Sequence, residues 1–462
     1  MSSFADHPML SGIYEPVVDE RDDAALEIVG EIPSGLRGTF LRNGPNAKFP
    51  PAGAYHIFDG DGMLHALHFE DGGCRYANRW VRTQGLAIEE REGRGLFGGM
   101  TNPMQAEPSV IAETGSPLKN VANTHVIRHA GRILCLWEAG LPTEVDPQLQ
   151  TLGPWDFDGR FAGPMTAHPK VDPATGEMLF FGYSALPPYL RYHTVDADGK
   201  LVRSVDIDLP APVMVHDFAT TERHAVFIDN PAVFDMAQFQ EGGPMLSWKP
   251  EAGARLGLVP RAGEGDTRWF EIDPCFVVHF LNAYETGNQV VVDACRIDRF
   301  DIGLESDGAD LGGGEAWLTR WTIDLENNQV SEERLAELPG EFPRVADSVA
   351  GRENRFGYIA SFAGGRMTGG DFDCLVKYDL ARGTTDAHPF GADCVTGEGV
   401  FARDPAGTAE DDGWLLSWVI DKRDRSTEVV VLDARNLSAE PVARVKLPRR
   451  VPFGFHGSWL GA

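Results

Sequence analysis

Runs of alternating apolar and polar residues, each closed by a turn rich in Asp, Gly or Asn, recur along the chain and read as β-hairpins. Four share one plan: LRYHTVDADGKLVRSV (190–205), LTRWTIDLENNQVSEERL (318–335), LVKYDLARGTTDAHPF (375–390) and VVVLDARNLSAEPVARV (429–445). Each is a strand ending in an aromatic or aliphatic anchor, an acidic turn, then a second strand. The anchors Tyr192, Trp321, Tyr378 and Leu432 include two successive steps of 57 and 54 residues, the mark of an internal repeat. A sheet unit too small to bury its own faces must stack on copies of itself, and four-stranded propeller blades run about 40–50 residues. The expectation is therefore all-β: a seven-bladed β-propeller spanning 1–462 as a single domain, with loop and helix insertions forming a cap over one face. Six to eight blades fit the length, and a sandwich or double barrel is the alternative.

Two stretches break the alternation. Residues 231–250 (PAVFDMAQFQEGGPMLSWKP) read either as a helix capping the core or as an apolar mouth that touches a bilayer, through Phe234, Met236, Phe239, Leu246 and Trp248. Residues 304–315 (LESDGADLGGGE) read as a solvated loop.

Composition narrows the function. The 52 Gly and 31 Pro among 462 residues suit a turn-rich β fold. A net charge of −28 repels phosphate backbones and anionic lipid surfaces, so no nucleic acid is expected as partner and any peripheral membrane contact must be apolar. The start, MSSFADHPMLSGIYEPV, has neither a basic nor an apolar leader segment. The six Cys form no CxxC pair and lie mostly in apolar runs, reading as buried reduced thiols. A cytoplasmic location, with possible peripheral membrane association, is the expectation.

Chemistry enters with four histidines, each alone in a short apolar run: His168 in AHPKVDP, His216 in VHDF, His279 in VVHFLNAYE and His456 in PFGFHGSW. Ligands so far apart meet only where many segments converge, and imidazole suits iron, copper, zinc or nickel better than calcium or magnesium. Spacing alone does not select them, since His56, His65, His68, His125, His129, His193, His224 and His388 look alike locally, and a satisfied structural role is the commoner fate of a lone His. Three single acids in apolar runs sharpen the picture: Glu138 in LCLWEAGLP, Glu341 in GEFPRV and Glu398 in GEGVFAR. Buried, each needs a partner, either a metal-bound imidazole with its free N–H turned inward or backbone and Arg, for example Arg344. FDGDGM, with Asp59 and Asp61, lacks the downstream Glu of a calcium loop and reads as a turn.

These runs, together with FLRNGPN, FDGDGMLHALHF, NRWVRT, KNVANTHVI and AEDDGWLLSWV, resemble the carotenoid cleavage oxygenase family over essentially the whole chain. The resemblance implies Fe(II) on the propeller axis, held by neutral His168, His216, His279 and His456. It further implies glutamates behind three of them, Glu138 with His216, Glu341 with His279 and Glu398 with His456, leaving His168 without one. The implied reaction is oxidative cleavage of a C=C bond by O2 to two carbonyl products, the site holding one chosen double bond in place. Family members that cleave phenolic stilbenes carry Tyr where Met100 stands and Lys where Trp137 stands, so an apolar apocarotenoid or carotenoid is the expected substrate and a phenolic stilbene or phenylpropanoid alkene the alternative. Candidate pocket residues are Phe58, Phe69, Met100, Trp137, Phe280 and Phe362; none is assigned a catalytic role beyond the iron centre. Two other classes stay open: a calcium- or zinc-dependent propeller hydrolase and a non-catalytic carrier.

Overall fold

The computed structural model describes residue 4 and residues 7–100, 105–241, 243–263, 265–300, 314–363 and 371–462. Most of the 304–315 run lies outside these. The strands form seven antiparallel sheets arranged as a seven-bladed β-propeller, plus one small hairpin. From the axis outward, blade 2 runs His125–His129, Arg132–Leu136, Thr143–Val145 and Thr151–Pro154; blade 3 begins with Lys170–Val171, blade 4 with Ala219–Thr220, blade 5 with Phe276–Thr286 and blade 6 with Gly340–Arg344. First strands of blades 4 and 5, 5 and 6, 7 and 1, and 1 and 2 touch one another, which places them around the axis.

The ring is closed twice. The C-terminal strand Gly457–Gly461 enters blade 1 as its innermost strand against Gly38–Arg42, while the N-terminal strand Glu27–Gly30 pairs with Ala443–Lys446 at the outer edge of blade 7. Both chain ends are thereby locked into each other's blades.

The four repeated hairpins are the third and fourth strands, counted from the axis, of blades 3, 5, 6 and 7, with Glu27–Gly30 added outside the last of them. Alternation is legible in the last strand of a hairpin, which faces water: Gln329–Arg334 is largely exposed, whereas the inner strand Phe356–Ser361 and even the first hairpin strand of blade 6, Cys374–Asp379, are buried throughout. Blades are covered on both faces by their neighbours, so inner strands lose the polar half of the pattern. Each of the seven seams holds one apolar cluster. Trp321, Tyr378 and Leu432 each fill the seam to the preceding blade, but Tyr192 fills the seam to the following one. The sequence repeat is in phase over the last three blades only.

Antiparallel order decides which loops share a face with the site. Segments that precede a first strand, and those that join second to third strands, all emerge where the first strands begin. That face carries residues 81–100 and 105–124 with helices Gln84–Glu92 and Pro108–Thr114, and residues 230–241 and 243–253. The latter are neither a capping helix nor featureless: Ala232–Phe234 pairs with Leu246–Trp248, and the five-residue helix Met236–Gln240 sits between them. No helix among the described residues is long and apolar enough to cross a membrane. The six Cys are free thiols, five of them buried.

Candidate metal centre

His168, His216 and His456 lie just ahead of the first strands of blades 3, 4 and 1, and His279 is carried inward by a bulge in the first strand of blade 5. Residues 48 to 288 apart in sequence thus arrive at one point, because every first strand starts at the same end of the axis. Ring centroids lie 4.6–4.8 Å from His168 to each of the other three, 4.7 Å between His279 and His456, and 5.2 Å between His216 and His279. Nitrogens of His168, His279 and His456 fall within 4.8 Å of one another, and His168 Nε2 is 3.1 Å from His216 Nε2.

The carboxylates stand behind the rings. His216 Nδ1 meets Glu138 Oε2 at 2.5 Å, His279 Nδ1 meets Glu341 Oε2 at 2.5 Å, and His456 Nδ1 meets Glu398 Oε1 at 3.0 Å. A carboxylate facing Nδ1 fixes the proton there, so Nε2 carries a lone pair pointing away from it. His279 Nε2 is buried with no hydrogen-bond partner. Burial and the neighbouring imidazoles push His168 well below the ordinary histidine range, and burial brings His456 to about 4 despite Glu398. Burial opposes charging His216 as well, but Glu138 outweighs it and raises that ring.

The donor set fits a metal ion. Nitrogens bound at about 2.1 Å and at right angles stand about 3 Å apart, which is the His168–His216 spacing. Converging lone pairs without a donor between them are otherwise a desolvation cost with no return.

Each glutamate has a further partner of its own. Tyr183 donates to Glu138 Oε1 at 2.6 Å, Glu341 Oε2 takes the N–H of Phe342 at 2.5 Å, and Glu398 takes the Gly457 N–H at 2.9 Å and the Arg344 guanidinium at 3.2 Å. Burial would raise Glu398, yet Arg344 and His456 hold it far below the usual carboxylate range.

Polar links close the axis at every seam. His456 N–H reaches Thr124 O at 3.1 Å, His125 Nδ1 donates to Ala167 O at 2.9 Å, and Lys170 meets Asp217 at 2.7 Å. Asp217 Oδ2 takes the Phe280 N–H at 2.8 Å, and the His279–Glu341, Arg344–Glu398 and Glu398–His456 contacts complete the circuit.

Three site residues escaped sequence reasoning. His125, buried 5.3 Å from the His456 ring, has an unpartnered Nε2 and is held by burial at about 3. Phe342 has a left-handed backbone (φ 55) and sets its ring 5.6 Å from His279 and 5.1 Å from His456. Asp217 belongs to the VHDF run but offered no signal of its own.

The pocket candidates divide. Phe58 packs 5.5 Å from Phe455, next to His456; Met100 N–H bonds Asp59 Oδ1 at 2.8 Å in the adjoining loop; Trp137 is half-buried beside Glu138. Phe69, Phe280 and Phe362 do not face the site. Phe280, directly after His279, packs into the seam of blades 4 and 5. Phe69 lies six residues along its strand from Met63, about 20 Å from the site face, in the seam of blades 7 and 1. Phe362 starts at the correct face but packs 4.9 Å from Phe372, which separates it from Phe342.

Within the 230–253 insertion, Phe234 stacks on Tyr183 (6.0 Å), Leu246 and Trp248 pack onto the core, Phe239 is half-buried and Met236 is 37% exposed. Leu186, in the loop after Tyr183, is 72% exposed. Asp59 and Asp61 form no cation loop. Asp59 caps the turn Ile57–Asp59 through the His56 N–H, and Asp61 pairs with Lys119.

A seven-bladed propeller with four imidazoles and three carboxylates converging on its axis defines a metalloprotein class, and comparison with known proteins identifies it. Residues 14–461 match the family model described as retinal pigment epithelial membrane protein, and the chain belongs to that family, the carotenoid cleavage oxygenases. A carotenoid 9,10(9',10')-cleavage dioxygenase of Crocus sativus is 37% identical, the alignment covering 98% of this chain and 88% of that protein. Among solved structures, a lignostilbene dioxygenase of Pseudomonas brassicacearum superposes with TM-score 0.91 at 34% identity (98% of each chain). A cobalt-substituted apocarotenoid oxygenase of Synechocystis gives 0.85 at 30% identity, covering 97% of this chain and 98% of that one.

Proposed function

We propose that the protein is a non-haem Fe(II) dioxygenase that cleaves a C=C bond of a lipophilic polyene, an apocarotenoid or carotenoid, into two carbonyl products. The observation that carries this reading is the buried convergence of four imidazole faces with three carboxylates behind them. His168, His216, His279 and His456 would hold the ion. Iron supplies the redox chemistry that activates O2 toward an alkene, which zinc lacks. Four neutral ligands leave the ion's two positive charges uncancelled; with Arg344 they balance Glu138, Glu341 and Glu398. The same carboxylates keep the protons at Nδ1 of three rings, so each Nε2 stays free to bind.

Trp137, Met100, Phe58 and Phe342 present mainly apolar surface, which suits a polyene and places regioselectivity in positioning. Apolar side chains at the mouth, Phe234, Met236, Phe239 and Leu186, would receive such a substrate from a membrane surface. Calcium hydrolysis finds no support, since calcium takes oxygen ligands.

A phenolic alkene is the second reading, favoured by the higher TM-score of the lignostilbene dioxygenase. The test is incubation of iron-loaded protein with an apocarotenal and with a hydroxystilbene under isotopically labelled O2, followed by mass spectrometry. Labelled aldehydes from the apocarotenal support the proposal; a surviving apocarotenal beside a cleaved stilbene replaces it with the second reading.

A further inference from the structure

We infer that Asp217 is a positioning residue for the metal centre, one carboxylate that sets three of the four imidazoles relative to one another without bonding any of them. This rests on the reading of those imidazoles as iron ligands. Asp217 is 2% exposed. Its Oδ1 takes the N–H of Phe218 at 2.8 Å and the ammonium of Lys170 at 2.7 Å, and its Oδ2 takes the N–H of Phe280 at 2.8 Å. Each partner is tied to a different ligand: Lys170 stands two residues after His168, Phe218 two residues after His216, and Phe280 directly after His279.

The chain has to supply this link because the ligands sit where regular pairing fails. His168 and His216 precede first strands of only two residues, and His279 lies in the bulge between Val277 and Phe280. Ladder hydrogen bonds therefore fix none of the three strand ends against the next. A buried carboxylate with three donors, one of them cationic, does so within hydrogen-bond length, and its burial is compensated only while all three stay in place. The fourth imidazole has an equivalent device: Glu398 takes the N–H of Gly457, directly after His456, at 2.9 Å. Functional groups need support at about the 0.5 Å level to act together, and Asp217 provides it from outside the coordination sphere.

The test compares full-length wild-type protein with Asp217→Asn and Lys170→Met. Asn keeps one acceptor and turns an amide N–H toward a backbone donor or the ammonium. Lys170→Met spares both backbone contacts, and at a side chain that is 26% exposed water can reach the place of the lost ammonium. Iron(II) affinity by anaerobic titration, the electron paramagnetic resonance spectrum of the iron–nitric oxide adduct, and thermal stability of metal-free protein are measured together. The expected result is a loss of iron affinity of about 10- to 100-fold for Asp217→Asn and about 10-fold for Lys170→Met, each with an altered adduct spectrum. Wild-type affinity and spectrum in Lys170→Met, or in folded Asp217→Asn, would overturn the inference. A wild type that binds no iron, like a His279→Ala control, would instead defeat the metal reading on which it rests.

Discussion

Tyr183 donates its phenol proton to Glu138 at 2.6 Å while its ring stacks on Phe234, so the apolar insertion and the imidazole cluster share one side chain. The path from Phe234 through Tyr183 and Glu138 to His216 consists entirely of direct contacts. Tyr183→Phe keeps the stack and removes the donor. Glu138 then holds His216 more loosely, and kcat is expected to fall about 10-fold with weakened iron retention, outer partners of metal ligands being worth roughly 10–100-fold. Turnover and iron content of the purified variant check this; unchanged values for both would show that Glu138 does not need the phenol.

Among the described residues Glu398 is the one carboxylate of the three with an Arg or Lys partner; Glu398 is buried and Arg344 half-buried. Glu398→Gln leaves the half-buried Arg344 guanidinium with only the looser Asp347 at 3.6 Å, so a stability loss below the roughly 3–5 kcal/mol of a fully buried pair is expected in urea unfolding. Adding Arg344→Met should recover much of it, because a buried pair replaced by apolar groups is often neutral. A double variant no more stable than the single one would mean that Glu398 stabilises through His456 and Gly457 alone.

Sequence reading reached the fold through the repeated hairpins, where one face meets water; lone polar residues in apolar runs marked the candidates for the site, and the family resemblance selected the four imidazoles and three carboxylates among them. It erred over aromatics, for a reason that strand geometry explains. Phe280 packs into the seam of blades 4 and 5 beside the bulge that carries His279 inward, and Phe69 sits at the wrong end of its strand. Phe342 was invisible because a left-handed aromatic residue has no sequence signature, and Asp217 because its partners lie 47 and 63 residues away.

That division of aromatics is testable. Phe69→Ala empties a fully packed seam and should cost about 3–5 kcal/mol while leaving KM unchanged. Phe58→Ala, at the edge of the site, should raise KM with a smaller stability loss. Denaturant midpoints and steady-state kinetics on the two variants separate the roles, and a KM effect from Phe69→Ala would return that ring to the pocket.

Asp59 carries a pH dependence. Burial pushes its carboxyl up to about 6 from the ordinary 3.8, although the N–H groups of Met100 and His56 and the charge of Lys119 work the other way. Below about pH 4 both folded and unfolded chains hold the proton and Asp59 contributes nothing. Between about pH 4 and 6 the unfolded chain releases it first, so this residue lowers stability as pH rises, by roughly 3 kcal/mol in full. Asp59→Asn, which cannot ionise, should gain on wild type across that interval and hold its gain above it. Parallel stability curves for the two proteins from pH 4 to 7 would mean that Asp59 is not held neutral.

Phe342 joins backbone strain to site geometry. The bulge between Glu341 and Arg344 places Glu341 behind His279 and turns Phe342 between the rings of His279 and His456, at a φ of 55 that disfavours any side chain. A left-handed residue costs about 1–2 kcal/mol, and glycine escapes this at an entropic cost of about 0.5–1 kcal/mol. Phe342→Ala therefore loses the ring and keeps the strain, whereas Phe342→Gly loses the ring and sheds the strain, and should be the more stable of the two by up to about 1 kcal/mol. In kcat/KM the order should vanish: both remove the same wedge from beside the imidazoles, so both should fall together. An alanine variant as stable as the glycine one would place Phe342 in an ordinary backbone conformation, and unequal losses of kcat/KM would show that the backbone, rather than the ring, is what the site requires.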